Sequence, residues 1–272
     1  MRKFTRRQVL TGLLGGVVGA GTYSITGGHS IQVERKTIHL PNWDADGFKI
    51  AFLSDFHIYG KRRLERATTA TRLALQEKPD FIAFGGDLID VDCDYKIDIL
   101  DDALADIYDS KIPSAVIMGN HERDYRNPLA PYDYFKKCPL QLLTNETTDF
   151  HGITILGMDD PMCGYAKYSA LNPFEFSKST ICLMHEPDYV HKIPYPDKIS
   201  LQISGHSHGG QICLPGGKPL FSTPGARKYL AGYYPNAPVP LYVSRGIGTT
   251  WYDLRTFCPP EVSILTLKGA NS

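Results

Sequence analysis

Residues 48–57 read Phe-Lys-Ile-Ala-Phe-Leu-Ser-Asp-Phe-His. The run 48–53 is short and apolar, as expected of a buried strand. It ends on an acid and an imidazole, Asp55 and His57, two positions apart; if strand geometry persists, both face the same way. The arrangement recurs along the chain. The apolar run 81–84 leads into Gly85-Gly86-Asp87, 114–118 into Gly119-Asn120-His121-Glu122, 180–184 into His185-Glu186-Pro187, and 201–204 into Gly205-His206-Ser207-His208. Five predicted strands thus deliver Asp, Asn or His at their C-terminal ends, the sheet edge where ligands collect.

Asp55, His57, Asp87, Asn120, His185, His206 and His208 form a set of candidate metal ligands. They are too many for one tetrahedral ion and a natural number for two ions sharing a carboxylate. Imidazole with carboxylate suits zinc, iron or manganese better than magnesium or calcium. Two metals about 3.5–4 Å apart clamp a phosphate for in-line attack. Gly86, Gly119 and Gly205 allow tight backbone turns beside such a site. Each piece alone is ordinary, since a Gly-Asp after a strand is often just a turn. The ordered set, each member at a strand end, is not.

Working outward, apolar residues at helical spacing (Leu64, Ala67, Thr71, Ala74, Leu75) predict a helix over 64–76, stopped by Pro79. Ile97, Leu100, Ala103, Leu104 and Ile107 predict a second. Further strands are expected at 153–156, 241–244 and 262–267, while 214–240, rich in Pro, Gly and Tyr, reads as ordered loop. So many strands with so few helices fit two sheets packed face to face with helices outside. With no internal repeat or linker, one catalytic domain over 48–268 is expected, preceded by a lead-in segment at 31–47.

The N-terminus reads as an address. Arg6-Arg7 is followed by an apolar, glycine-rich stretch, and no Asp, Glu, Lys or Arg occurs from Gln8 to Val33. This is the pattern of a twin-arginine export signal over residues 1–30, with the twin-arginine translocase as partner. Cleavage or retention as a membrane anchor is left open, since no clean A-x-A motif precedes Gly21. The expected location is the periplasm, the cell wall or the outer face of the cytoplasmic membrane. Basic and acidic residues balance at 29 each, but Arg2, Lys3, Arg6 and Arg7 belong to the address. The slightly acidic remainder lacks a nucleic-acid footprint. None of the six cysteines forms a CxxC pair, which argues against a cysteine zinc site. Disulfides are open to an exported protein, and buried free thiols are the plainer reading.

These blocks resemble the calcineurin-like metallophosphoesterase superfamily, whose pattern is D-x-H, G-D, G-N-H-D/E, H and G-H-x-H. The likeness is greatest to the bacterial twin-arginine-exported phosphodiesterase branch, through Arg6-Arg7, the run Gly-His-Ser-His-Gly-Gly-Gln at 205–211, Ser-Arg-Gly-Ile-Gly at 244–248, Leu254-Arg255 and Pro260-Glu261. The resemblance implies a four-layer α/β sandwich with two mixed β-sheets flanked by helices. It also implies two divalent or trivalent transition-metal ions (Mn, Fe or Zn). Asp55, His57 and His208 would hold the first, Asn120, His185 and His206 the second, and Asp87 would bridge. Glu122, where many members have Asp, and Phe56 within Asp-Phe-His are mild departures that touch no ligand.

The expected reaction is phosphodiester hydrolysis by a metal-bridging hydroxide. His121, not needed as a ligand, would donate a hydrogen bond or proton to the leaving oxygen, with Asp90 orienting it unless Asp90 merely caps a helix. The substrate would be a small phosphodiester or a lipid-linked phosphate. Alternatives are a pyrophosphohydrolase on a nucleotide-linked lipid such as UDP-2,3-diacylglucosamine, a phosphomonoesterase or protein phosphatase, and a non-catalytic metal-binding envelope scaffold. Lys228, Arg245 and Arg255 lie in loops that can reach the mouth of the site, with Arg245 the favoured substrate contact. Tyr229, Tyr233, Tyr234 and Trp251 either flank an apolar substrate or pack the loops.

Overall fold

In β2 (Phe48–Leu53), Ile50 and Phe52 point to one side and Ala51 and Leu53 to the other, all fully buried. A strand apolar on both faces must be covered on both faces. The computed structural model, which describes residues 30–91, 97–125, 127, 129–172 and 176–270, shows how. Ala51 and Leu53 meet helices α1 (Lys61–Gln76) and α2 (Ile99–Ser110) through Ala67, Ala70, Ala74, Leu104 and Ile107. Ile50 and Phe52 meet a second sheet through Ile155, Ile181, Leu183 and Ile203.

The first sheet runs in the order β1 (Gln32–Leu40), β14 (Glu261–Gly269), β2, β3 (Phe81–Phe84), β4 (Ser114–Val116), β5 (Gln141–Leu142). All its pairings are parallel except β14 with β2. The second runs β12 (Gly232–Tyr234), β13 (Leu241–Val243), β9 (Leu201–Ser204), β8 (Ser179–Leu183), β7 (Ile153–Gly157), β6 (Glu146–Phe150). There the two outermost pairings are antiparallel and the rest parallel. A small antiparallel pair, β10 (Cys213–Leu214) and β11 (Lys218–Pro219), projects from the loop after β9.

The chain therefore has the expected layers. One refinement concerns the outer face of the second sheet, which among the described residues is covered by the short 3-10 turns Tyr168–Ala170 and Pro187–Lys192, through Tyr168, Tyr189 and Val190, and by Tyr229 and Val239 from the loops before β12 and β13. A second concerns residues 31–47. They are no mere lead-in: β1 pairs along its whole length with β14, and Ile38, Leu40 and Trp43 enter the core between the sheets. The export signal falls outside the described residues. Among those described, no helix is long and apolar enough to cross a membrane.

Candidate metal centre

Loops that carry the candidate ligands leave β2, β3 and β4 of one sheet and β8 and β9 of the other. The β2 and β3 loops stay paired beyond their strands: Asp55 N donates to Gly86 O at 3.0 Å, His57 N to Asp87 O at 2.9 Å, and Ile58 N to Leu88 O at 3.1 Å. The backbone itself does not stay extended. Asp55, His57, Asp87, His206 and His208 all have positive φ, between 45° and 65°. Left-handed backbone costs a non-glycine residue on the order of 1–3 kcal/mol and persists only where the surroundings over-determine it. This corrects the expectation of strand alternation. Asp55 and His57 reach the same site because each sits in a left-handed kink, not because β2 continues.

The kinks bring distant side chains together. Asp55, His57 and His208 present donor atoms all within 4.8 Å of one another, and so do Asp87, His185 and His206. His57 Nε2 lies 3.0 Å from His208 Nε2, which in turn lies 3.5 Å from Asp55 Oδ1. Asp87 Oδ2 stands between the groups, 3.5 Å from His57 Nε2 and 3.1 Å from His185 Nε2. Asn120 lines the same cleft as Asp87, His206 and His208. The structure thus brings together all seven candidate ligands.

The donor set fits metal ions. Asn120 Oδ1 and His185 Nε2 are buried without a hydrogen-bond partner, a costly state unless something else satisfies them. His185 Nδ1 donates to Gly85 O at 2.6 Å, which leaves Nε2 as the atom that faces the Asp87 carboxylate, 3.1 Å away. Two donors bound to one ion at about 2.0–2.1 Å sit roughly this close to each other. His206 likewise gives Nε2 to Pro224 O at 2.7 Å, which leaves Nδ1 as its free donor. Burial holds His57 and His208 well below the usual imidazole range and His206 down at about 4, so all three carry the neutral form that coordinates metal. Burial pushes the Asp87 carboxyl up, but His185 and His121 outweigh it and hold it well below the usual range, ionised.

His121 and Asp90 form a third group beside His57. The His121 ring meets the His57 ring edge-on at 4.3 Å, and its Nδ1 lies 3.4 Å from Asp90 Oδ1. Burial alone would lower the His121 pKa, but Asp87 and Asp90 raise it to about 9. Asp90 is fixed in turn by Arg63 Nη1, 2.8 Å from Oδ2, which also donates to His57 O at 3.0 Å. Arg63, on α1, carries no motif and was invisible in the sequence.

Glu122 proves to be more than a departure from a pattern. Fully buried, it accepts four backbone N–H groups: Oε2 from Asp87 (2.7 Å) and Gly119 (2.9 Å), Oε1 from Leu88 (2.7 Å) and Ile89 (3.2 Å). One carboxylate thus fixes the loops that carry Asp87 and Asn120. Glu122→Gln is expected to orphan two of these donors and lower stability by about 2–6 kcal/mol, at 1–3 kcal/mol per buried unsatisfied group. Urea denaturation measures this; a change within about 0.5 kcal/mol, typical of surface substitutions, would show that the loops hold without it.

The glycines act differently from the expected turns. Only Gly86 of the three has positive φ, at 87°. At Gly119 a Cβ would strike Asp87 Oδ1, and at Gly205 it would strike Ser54 Oγ. These two positions are glycine because another loop passes against them.

The cationic residues expected at the mouth lie elsewhere. Arg245 pairs through Nη2 with Glu34 on β1 (2.7 Å) and through Nε with Glu261 on β14 (3.0 Å), so it braces the first sheet and does not line the cleft. Arg255 is fully buried and donates to the carbonyls of Gly248, His208, Cys258, Arg245 and Gly246 at 2.8–3.3 Å. It clamps the loop behind His208. Lys228 lies over the Tyr229 ring, 5.1 Å from its centroid, away from the cleft. Tyr229, Tyr233 and Tyr234 pack into the cores; of the four aromatics only Trp251 borders the cleft.

A two-sheet sandwich whose loops gather two carboxylates, four imidazoles and an amide around one cleft defines a metal-dependent phosphoester hydrolase. The chain belongs to the calcineurin-like phosphoesterase family, whose model matches residues 48–210. It is 33% identical to the uncharacterized metallophosphoesterase YkuE of Bacillus subtilis (strain 168), over the whole of both chains. It is 29% identical to phosphodiesterase YaeI of Escherichia coli (strain K12), covering 82% of this chain and 83% of that one. Among solved structures, TT1561 of Thermus thermophilus shares the fold at 14% identity, with a TM-score of 0.50 over 73% of this chain and 89% of that one. Family and donor groups together point to a dimetal centre.

Proposed function

We propose that the chain is a binuclear-metal phosphodiesterase, with Asp55, His57 and His208 holding one ion, Asn120, His185 and His206 the other, and Asp87 shared. The observation that carries this reading is the single Asp87 oxygen within 3.5 Å of an imidazole from each group. Imidazole, carboxylate and amide donors suit manganese, iron or zinc. When bound, such ions acidify water and neutralise the non-bridging oxygens of a phosphate. The chain's own residues supply the rest. His121, on the cleft side of His57, donates its proton to the leaving oxygen. Asp90, held by Arg63, orients the ring and supports its charge.

Two features favour a diester over a monoester. No Lys or Arg among the described residues lines the cleft to meet the second negative charge of a monoester. The relative YaeI is named a phosphodiesterase. The test is to load the protein with manganese and compare bis(4-nitrophenyl) phosphate with 4-nitrophenyl phosphate. Higher kcat/KM on the diester is expected. Preference for the monoester would make the protein a phosphomonoesterase, and bound metal without turnover of either would make it a scaffold.

The proposed site of action lies outside the cytoplasm, reached by the twin-arginine route, on the strength of Arg6-Arg7 and the uncharged stretch after it. Replacing both arginines with lysine should leave the protein in the cytoplasm; unchanged export would refute that route.

A further inference from the structure

The cleft, about 610 Å³ in volume, changes character from bottom to top. Its floor holds Asp87, Asn120, His121, His206 and His208. Its outer wall holds Met162, Phe221, Trp251 and Tyr252. These four are 36%, 73%, 94% and 72% exposed, and Trp251, Phe221 and Tyr252 are the three most exposed large apolar side chains among the described residues. An exposed apolar surface continuous with a polar site marks binding.

The wall is also fixed in place. Trp251 sits at φ 61° at the tip of its turn. The Gln211 amide grips that turn from one side, with Nε2 donating to Thr250 O at 2.9 Å and Oε1 accepting from Thr250 N at 2.9 Å. From the other side Asp253 binds Arg66 at 2.9 Å, Arg62 at 3.0 Å and Thr249 Oγ1 at 3.1 Å. Gln211 is three residues from His208, so the segment that leaves the candidate metal centre also sets the Trp251 tip. A strained backbone pinned on both sides to hold a tryptophan in water, beside the reacting centre, is preorganised for a ligand.

We infer that this wall is a subsite for a hydrocarbon substituent, and that the substrate is a phosphodiester bearing a long apolar chain. The inference rests on the phosphodiesterase reading. A phosphate on the floor must send one substituent outward across Met162, Phe221, Trp251 and Tyr252. A polyanionic substituent would meet no lysine or arginine among the described lining residues, whereas a hydrocarbon would meet apolar side chains.

The test compares methyl and octyl 4-nitrophenyl phosphates on the manganese-loaded full chain, below the micelle concentration of the octyl ester. Burying half of the added methylenes raises kcat/KM on the order of a hundredfold. In the double variant Trp251→Ser/Phe221→Ser, the octyl-to-methyl ratio is expected to fall to within about fivefold of unity, as the apolar contact area is lost. A ratio near one in the unmodified protein, a ratio unchanged in the variant, or an octyl advantage seen only above the micelle concentration would each overturn the subsite. Emission gives a readout independent of turnover. Of the two tryptophans, Trp43 is buried and Trp251 is 94% exposed. Octyl phosphate, but not methyl phosphate, should therefore shift emission to the blue. A shift without turnover of either ester would sink the phosphodiesterase reading and leave the subsite standing; absence of both turnover and shift would sink the subsite too.

Discussion

Asp87→Ala is expected to lose metal and activity together. Asp87 Oδ2 faces both groups of candidate ligands, through His57 of one and His185 of the other. Its Oδ1 also accepts the His121 N–H at 2.9 Å, so the same carboxylate positions the turn that carries Asn120. Without it, the buried His185 Nε2 loses its nearest counter-charge, and the two groups lose the bridge that links them. Turnover of a diester should fall by more than the ~100-fold typical of losing an outer contact to a ligand. Elemental analysis of the purified variant should show fewer than two ions per chain. Metal at a thousandfold excess over its dissociation constant adds about 4 kcal/mol of stability. In a domain of this size that is roughly 8–16 °C in Tm. A chelator should therefore lower the Tm of the unmodified protein markedly and that of the variant much less. Two retained ions with near-normal turnover would show that Asp87 is not shared.

The sequence revealed the interior of this fold and hid its borders. All eight interior strands, β2, β3, β4, β7, β8, β9, β13 and β14, lie where apolar runs predict strands. The four edge strands, β1, β5, β6 and β12, were not legible. The reason is physical: an edge strand faces solvent along one side, and charged or polar residues there discourage pairing with other chains. Gln-Val-Glu-Arg-Lys-Thr in β1 and Glu-Thr-Thr-Asp in β6 present no apolar run for that reason.

The site divides in the same way. The candidate ligands show in the sequence because Asp, Asn and His at strand ends are chemically distinctive. What holds them does not show. Glu122 looks like a variant acid until four backbone N–H groups are seen on it, and Arg63 looks like an ordinary helix-surface charge. Arg245 and Arg255 show the converse error. A cation in a glycine-rich loop after a strand suggests phosphate binding, yet one pairs with two glutamates and the other satisfies carbonyls in the interior. The sequence displays the type of charge and withholds its partner.

His121→Ala is expected to lower kcat by about 10²- to 10⁴-fold, the range for loss of a positioned acid, while metal content stays at the level of the unmodified protein. The geometry separates these two effects. His121 lines the cleft and stacks edge-on against His57, and the backbone of residue 121, not its ring, meets Asp87. Alanine keeps that N–H and so keeps the turn that presents Asn120. The size of the loss should depend on the leaving group. A 2,4-dinitrophenolate departs without a proton and should be released almost as fast by the variant. An alkoxide needs the proton, and the full penalty should appear with an alkyl ester. Asp90→Asn should reproduce the same leaving-group dependence at smaller amplitude, because it removes the charge that supports the ring but leaves the ring in place. Equal losses across leaving groups would mean that His121 stabilises charge on the phosphate and does not protonate the departing oxygen. Loss of an ion along with activity would make it a ligand, through the third donor group it forms with His57 and Asp90.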